Sequence, residues 1–203
     1  MFTPRIQEAL AHIEESDRRQ QASRQGIPYW RVSGDNGRLL HILAHTRRAQ
    51  RAVELGTSSG YSGMHIASAL ASTGGHLWTF DLEPAKVALA RDNFERAGLS
   101  GLITQVEGDA LQTLPAFLAS SPELVDFAFL DAVKTHYLRY LEILRPRLAP
   151  GAVIAADNVG PRQAGAVAAY LEAVRRPPFL TSMVPTVNAE REQDALAVSL
   201  FVG

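Results

Sequence analysis

Hydrophobic and polar positions divide the chain into two regimes. Over residues 4–22 the apolar positions are sparse: Ile6, Leu10 and Ile13 fall on one stripe among charged and amide residues. That spacing predicts an amphipathic helix. Residues 26–36 show no period and mix glycine, proline and aromatics, and GRLLHILAHTRR (37–48) returns to helical spacing. From residue 51 onward, short continuous apolar runs alternate with helical stretches. RAVEL (51–55), HLWTFD (76–81), 102–107, 125–130 and 152–156 read as strands buried on both faces. Between and after them 62–70, 84–98, 111–119, 134–148 and 161–175 read as helices. The clearest is PAKVALARDNFERAG, with Pro84 in its first turn and Gly98 at its C-terminal cap. Such alternation predicts a doubly wound α/β fold around a mostly parallel sheet. FLTSMVPT (179–186) and ALAVSLFV (195–202), joined by NAEREQD with no helix between, predict an antiparallel C-terminal hairpin on the sheet edge.

The length of 203 residues suits a single domain over 1–203, with residues 1–25 as an N-terminal helical segment. A formal net charge of -1 gives no global pull toward nucleic acid or an anionic membrane. The absence of cysteine excludes disulfides, thiolate metal sites and cysteine nucleophiles. A metal would need oxygen or histidine ligands, which favours Mg²⁺, Ca²⁺ or Mn²⁺. No run approaches the ~18 apolar residues of a membrane span, and MFTPRIQEAL lacks the pattern of a signal peptide. The expected location is cytoplasmic, without membrane association.

In open parallel sheets, ligands sit beyond the carboxyl ends of the strands. There the sequence places Glu54-Leu55-Gly56, Asp81, Gly108-Asp109, Asp131 and Asp157-Asn158. Capping of the following helices explains one or two of these acids. It explains the whole row poorly, because clustered carboxylates repel unless something cationic lies among them. In VELGTSSGYS (53–62), Gly56 and Gly60 bracket a tight strand-to-helix turn. Ser58 stands where a dinucleotide-binding loop needs its second glycine, and there is no Gly-Lys-Ser/Thr of a P-loop. Asp81, about twenty residues beyond the loop, can accept both hydroxyls of a ribose. An acid with an incomplete glycine set suits a nucleoside without a pyrophosphate, and S-adenosylmethionine fits, its cationic groups welcome among acids.

GAVIAADNVG (151–160) and FAFLDAVKTHY (127–137) both run an apolar strand into an acid. These strands flank one helix, so Asp131, Asp157 and Asn158 are expected to converge. Two carboxylates and an amide oxygen form a half-shell for a hard divalent cation. Lys134, three residues past Asp131, is placed to accept the proton of an acceptor hydroxyl, which could then attack a methyl group held in line. Taken singly, each residue is as well explained by a turn or a solvated helix position.

The segments VELGTSSGYSG, TFDLEP, EGDA, FLDAVKTHYLRY and AADNV, in this order, resemble the cation-dependent O-methyltransferases, which include catechol and caffeoyl-CoA O-methyltransferases. The resemblance covers roughly residues 26–203. It implies a Rossmann-like seven-stranded sheet, S-adenosyl-L-methionine as methyl donor and a divalent cation, with Mg²⁺ foremost. It assigns Lys134 as catalytic base and Asp131, Asp157 and Asn158 as metal ligands. Val32, Glu54, Gly56, Ser62, Asp81, Asp109, Ala110 and Asp131 match its donor-binding positions, and Trp30 its substrate entrance. Two departures argue against a strict catechol assignment: Ala197 aligns with a glutamate that holds the second catechol hydroxyl, and Val133 with an aromatic that walls the adenine. The expected acceptor is a small hydroxylated aromatic, vicinal-diol-like molecule. Alternatives are a hydroxylated nucleoside in tRNA, disfavoured by the near-neutral charge, and a donor-binding module without catalysis. Dimers are common among bacterial members, which leaves a homodimer open. Outside the motifs, Arg47, Arg48 and Arg51 read as a basic helix terminus, and Phe94, Phe117 and Tyr140 as core. His136 has a minor claim on substrate.

Overall fold

The computed structural model describes residues 2–187 and 193–203. Strands β1 (Arg51–Leu55), β2 (His76–Asp81), β3 (Ile103–Glu107), β4 (Val125–Leu130) and β5 (Leu148–Ala156) pair in parallel. β6 (Phe179–Val187) and β7 (Gln193–Phe201) form the antiparallel hairpin, and β7 pairs with β5. The sheet order is β3-β2-β1-β4-β5-β7-β6. The direction of winding reverses between β1 and β4, which opens a crevice at their carboxyl ends.

Helices α1 (Pro4–Ser23), α2 (Gly34–Arg47), α3 (Tyr61–Leu70) and α4 (Pro84–Ala97) precede β3 in the chain; α5 (Ala110–Ala119), α6 (Tyr137–Leu144) and α7 (Ala164–Val174) follow it. They cover opposite faces. Ile13, Leu40, Met64 and Phe94 pack with Phe127 and Phe129 of β4 in one core. Leu114, Tyr137, Val167 and Tyr170 pack with Ala128 and Leu130 of the same strand in the other. Alternate residues of β4 thus face different cores, which is why the strand reads as continuously apolar.

Several boundaries differ from the sequence expectation, three of them by a clear physical cause. α2 starts at Gly34 rather than 37 because Ser33 caps it, accepting the Asn36 N–H at 3.1 Å. The expected 134–148 helix is α6 flanked by single 3₁₀ turns, Lys134–His136 and Arg145–Arg147. β5 begins at Leu148, paired with Val125 across an irregularity that absorbs Pro150 and Gly151. Of the linker NAEREQD, residues 188–192 lie outside the described residues, and Gln193 and Asp194 belong to β7. Arg51 does not share a surface patch with Arg47 and Arg48. It is buried, with its guanidinium 4.7 Å over Phe117 and 5.2 Å over Trp78, and it pairs with Glu123 at 2.7 Å.

α1 packs on its own chain. Its apolar stripe, Ile6, Ala9, Leu10 and Ile13, is buried, and Arg5 donates to the carbonyls of Arg96 and Glu95 at the end of α4. Its second half reaches the strand tips: Tyr61 Oη donates to Glu14 at 2.5 Å, and Asp17 pairs with Arg31 at 2.8 Å. No helix among the described residues is long and apolar enough to cross a membrane.

Candidate active site

The parallel register brings the strand ends to one level. Leu55 lies beside Leu130, and Leu130 beside Ala156. The next residues extend the ladder: Gly56 N donates to Phe80 O at 2.9 Å, Asp131 N to Leu55 O at 2.8 Å and Asp157 N to Leu130 O at 2.9 Å. The buried Tyr137 hydroxyl ties two of these ends, lying 2.9 Å from Leu130 O and 3.0 Å from Asp157 O. Burial pushes that phenol well above its ordinary value, so it stays a donor.

A cavity of about 560 Å³ opens over this level. Val32, Gly56, Ser62, Asp81, Asp109 and Ala110 line one part of it, and Asp131, Lys134, Asp157 and Asn158 another. Trp30, Val133 and His136 also stand on its wall. Glu54 does not. It lies fully buried behind the wall, its Oε2 accepting from Thr79 at 2.6 Å and its Oε1 without a partner among the described residues. Burial raises its carboxyl to about 7, against the pull of the neighbouring Ser62 and Thr79 hydroxyls.

The glycine loop is shaped by packing as well as by access. Gly56 has φ +100°, and a Cβ there would strike the Asp131 carbonyl. Gly60 has φ +81°, and its Cβ would lie 2.6 Å from the Phe94 ring. Between them Ser58, at φ 45°, donates its N–H to Asp81 Oδ2 at 2.8 Å and its hydroxyl to Tyr29 O at 2.6 Å. Asp81 Oδ1 accepts from Glu83 N at 3.0 Å, and Asp109 caps α5 through Leu111 N at 2.9 Å. Local capping therefore accounts for Asp109 and part of Asp81. Neither Asp131 nor Asp157 caps a helix.

Those two carboxylates form the electrostatic centre. Lys134 Nζ lies 2.6 Å from Asp131 Oδ1, and Asp157, 4% exposed, accepts from Asn36 Nδ2 at 3.2 Å. Asn158, at φ 54°, donates its amide N–H to Asp194 Oδ2 at 2.9 Å. Burial pushes the Asp131 carboxyl up, with Lys134 pulling the other way. Burial and the Asp131 charge push Asp157 up to about 8. Lys134 thus stands beside one half-buried carboxylate, Asp131, with the buried Asp157 close to it. Among the described residues no three His, Cys, Asp or Glu side chains group as metal ligands. The donor set is instead two carboxylates and an amide, all oxygen, a composition that fits a hard divalent cation.

Asn36, Asp194 and Lys86 were not legible as site residues. Lys86 is buried, with its Nζ 3.5 Å from the centre of the Trp30 ring, and Trp30 itself is exposed at φ 40°. Of the five non-glycine residues with positive φ among those described, Arg24 and Arg48 cap helices, whereas Trp30, Ser58 and Asn158 line the cavity. Such backbone costs energy and gathers at functional sites.

A doubly wound sheet with an acidic crevice at its switch point defines a Rossmann-like α/β protein. The particular family follows from comparison: a profile described as O-methyltransferase matches residues 7–193, and the chain belongs to that family. The catechol O-methyltransferase of Niastella koreensis is 36% identical over 134 residues, covering 66% of this chain and 60% of that protein. Less than two thirds of that relative's length is therefore matched. An O-methyltransferase of Streptomyces achromogenes involved in tomaymycin synthesis, solved in complex with SAM, superposes with a TM-score of 0.84 at 29% identity, covering 97% of this chain and 90% of that one. The O-methyltransferase of Bacillus cereus, solved with SAH, gives a TM-score of 0.84 at 25% identity, covering 96% and 90%.

Proposed function

We propose that this protein transfers the methyl group of S-adenosylmethionine to a hydroxyl of a small aromatic vicinal diol, with a divalent cation held by Asp131, Asp157 and Asn158. The observation that carries the reading is half-buried Asp131 with buried Asp157 and Lys134 at one end of a cavity that has Asp81 on its wall. Asp81 is suited to the ribose hydroxyls, and its two backbone donors hold the carboxylate in one orientation. By the resemblance Asp109 and Ala110 belong to the adenine side, Gly56 and Ser62 to the methionine end, and Val32 lies over the donor. Glu54, buried behind the wall, supports the methionine end through its neighbours Ser62 and Thr79. A divalent cation would supply Lewis acidity to the acceptor hydroxyl and neutralise the two carboxylates.

Lys134, once its own amine has given up a proton, is placed to take that of the acceptor hydroxyl. The acceptor oxygen forms its bond to the methyl carbon as the carbon–sulfur bond breaks. The electron pair stays on sulfur, leaving S-adenosylhomocysteine and a methyl ether. Trp30 and Val133 wall the open side of the cavity. Ala197 stands where the resemblance expects a glutamate that holds the second hydroxyl, which favours recognition of the acceptor by shape and by the cation over that side-chain contact.

The test is methyl transfer from labelled S-adenosylmethionine to catechols, caffeate-like phenols and bulk tRNA, with Mg²⁺ or with EDTA. Metal-dependent labelling of a diol phenol is expected. Labelling that survives EDTA would remove the cation from the mechanism, and labelling of tRNA alone would overturn the acceptor class.

A further inference from the structure

We infer that Asp194 is a positioning residue that fixes which end of the Asn158 amide is offered to the cation, an inference that rests on the metal reading proposed above. Asn158 has an oxygen at one end of its side chain and an amino group at the other, and only the oxygen can ligate a cation. The amide can turn end for end, so its neighbours must choose. A carboxylate accepts hydrogen bonds and cannot donate them. Asp194 Oδ2 accepts from Asn158 Nδ2 at 2.9 Å, which claims the amino end and leaves the oxygen for a ligand. Asp157 needs no such device, because both ends of its carboxylate are oxygen.

Asp194 is itself held in place. Its Oδ1 accepts from Gly160 N at 2.9 Å and from Ala195 N at 2.8 Å. A Cβ on Gly160 would lie 2.5 Å from that oxygen, so only glycine permits this approach. Val159 N donates to Ala195 O at 3.0 Å, continuing the contact between the β5 tip and β7. The loop carrying Asn158 is therefore clamped to the start of β7, and the clamp contains the one group that reads the amide's direction.

The experiment measures Mn²⁺ binding to the purified chain by electron paramagnetic resonance of the free ion, with thermal unfolding alongside. The proteins are wild type, Asp194→Ala, Asp194→Asn, Asn158→Asp and Asn158→Asp combined with Asp194→Ala. Asp194→Ala is expected to weaken Mn²⁺ binding about 10- to 100-fold, the usual cost of losing a group that orients a ligand. Asp194→Asn has one oxygen where three donors converge; with that oxygen held by the Gly160 and Ala195 N–H groups its amino group faces Asn158 and turns that amide the wrong way, so Mn²⁺ binding is expected to fall at least as far as in Asp194→Ala. In the Asn158→Asp background, where either end of residue 158 is oxygen, adding Asp194→Ala is expected to cost little. Equal loss from Asp194→Ala in both backgrounds would make Asp194 a structural clamp only and overturn the inference. Wild-type Mn²⁺ binding in Asp194→Asn would overturn it too, because an amino group facing Asn158 must reverse an amide that residue 194 orients. Should Asp194→Ala fail to fold, Asp194→Asn takes its place in the same comparison of the Asn158 and Asn158→Asp backgrounds. Wild type without Mn²⁺ binding would sink the metal reading itself and this inference with it, whereas wild-type binding indifferent to residue 194 would sink the inference alone.

Discussion

Two substitutions separate chemistry from scaffold at the level of single residues. Lys134 pairs with Asp131 near the surface of the cavity and carries no packing burden comparable to Tyr137. Lys134→Ala should therefore keep donor binding, measured by calorimetry with S-adenosylmethionine, and lower turnover about 10²–10⁴-fold, the range expected for a lost general base. Unchanged turnover would remove Lys134 from the proposed mechanism. Gly56→Ala tests the opposite kind of residue. Its φ of +100° and the Asp131 carbonyl facing it leave no place for a methyl group. Overpacking alone should cost on the order of 1–3 kcal/mol, seen as a lower urea midpoint, with backbone strain added to it.

α1 shows how an element remote in sequence supports the cavity. Its stripe packs with the core that contains Phe94, while Glu14 and Asp17 reach Tyr61 and Arg31 beside the glycine loop. Ile13 is fully buried, so Ile13→Ala should cost about 2–5 kcal/mol in urea denaturation. A cost near zero would mean that α1 is not part of the cooperative unit. The stripe was readable because three apolar residues in a polar helix leave one solution. The central parallel strands were readable for a related reason: burial on both faces leaves short apolar runs, as in Phe127–Leu130 and Ala152–Ala156. The break of 134–148 into 3₁₀ and α segments was not readable, since both helix types accept the same residues over one turn. Nor were Asn36 and Asp194. They meet Asp157 and Asn158 across 121 and 36 residues of chain, and an isolated polar residue in a helix start or a strand start carries no sign of such a partner. Ser33 followed by Asn36 was a legible cap that would have placed the start of α2 correctly.

At the scale of the whole molecule, two buried groups give opposite pH dependences. His65 is pushed down to about 3, first by burial and then by the His41 and Arg38 charges, and its ring nitrogens have no hydrogen-bond partner among the described residues. The unfolded chain binds that proton first, so the stability tied to neutral His65 is whole above about pH 6.5. It shrinks as pH falls toward 3, by about 1.4 kcal/mol per pH unit. Glu54, raised to about 7, works in reverse: its contribution is whole below about pH 4.5 and is lost as pH rises through 7. Urea denaturation across pH 4–8 should show a shallower acid limb in His65→Gln and a shallower neutral limb in Glu54→Gln, and unaltered limbs would refute the assignment. The strand order carries a consequence for synthesis. β6 leaves the ribosome before β7 yet lies outside it, and it has no neighbour in the sheet except β7. Until residues 193–201 emerge, the nine residues of β6 have no strand to pair with and β5 is open on the edge away from β4. A nascent chain at that stage offers a ready template for mispairing. The edge of the sheet and the Asn158 corner therefore depend on the same last strand, which lies between two strands made before it.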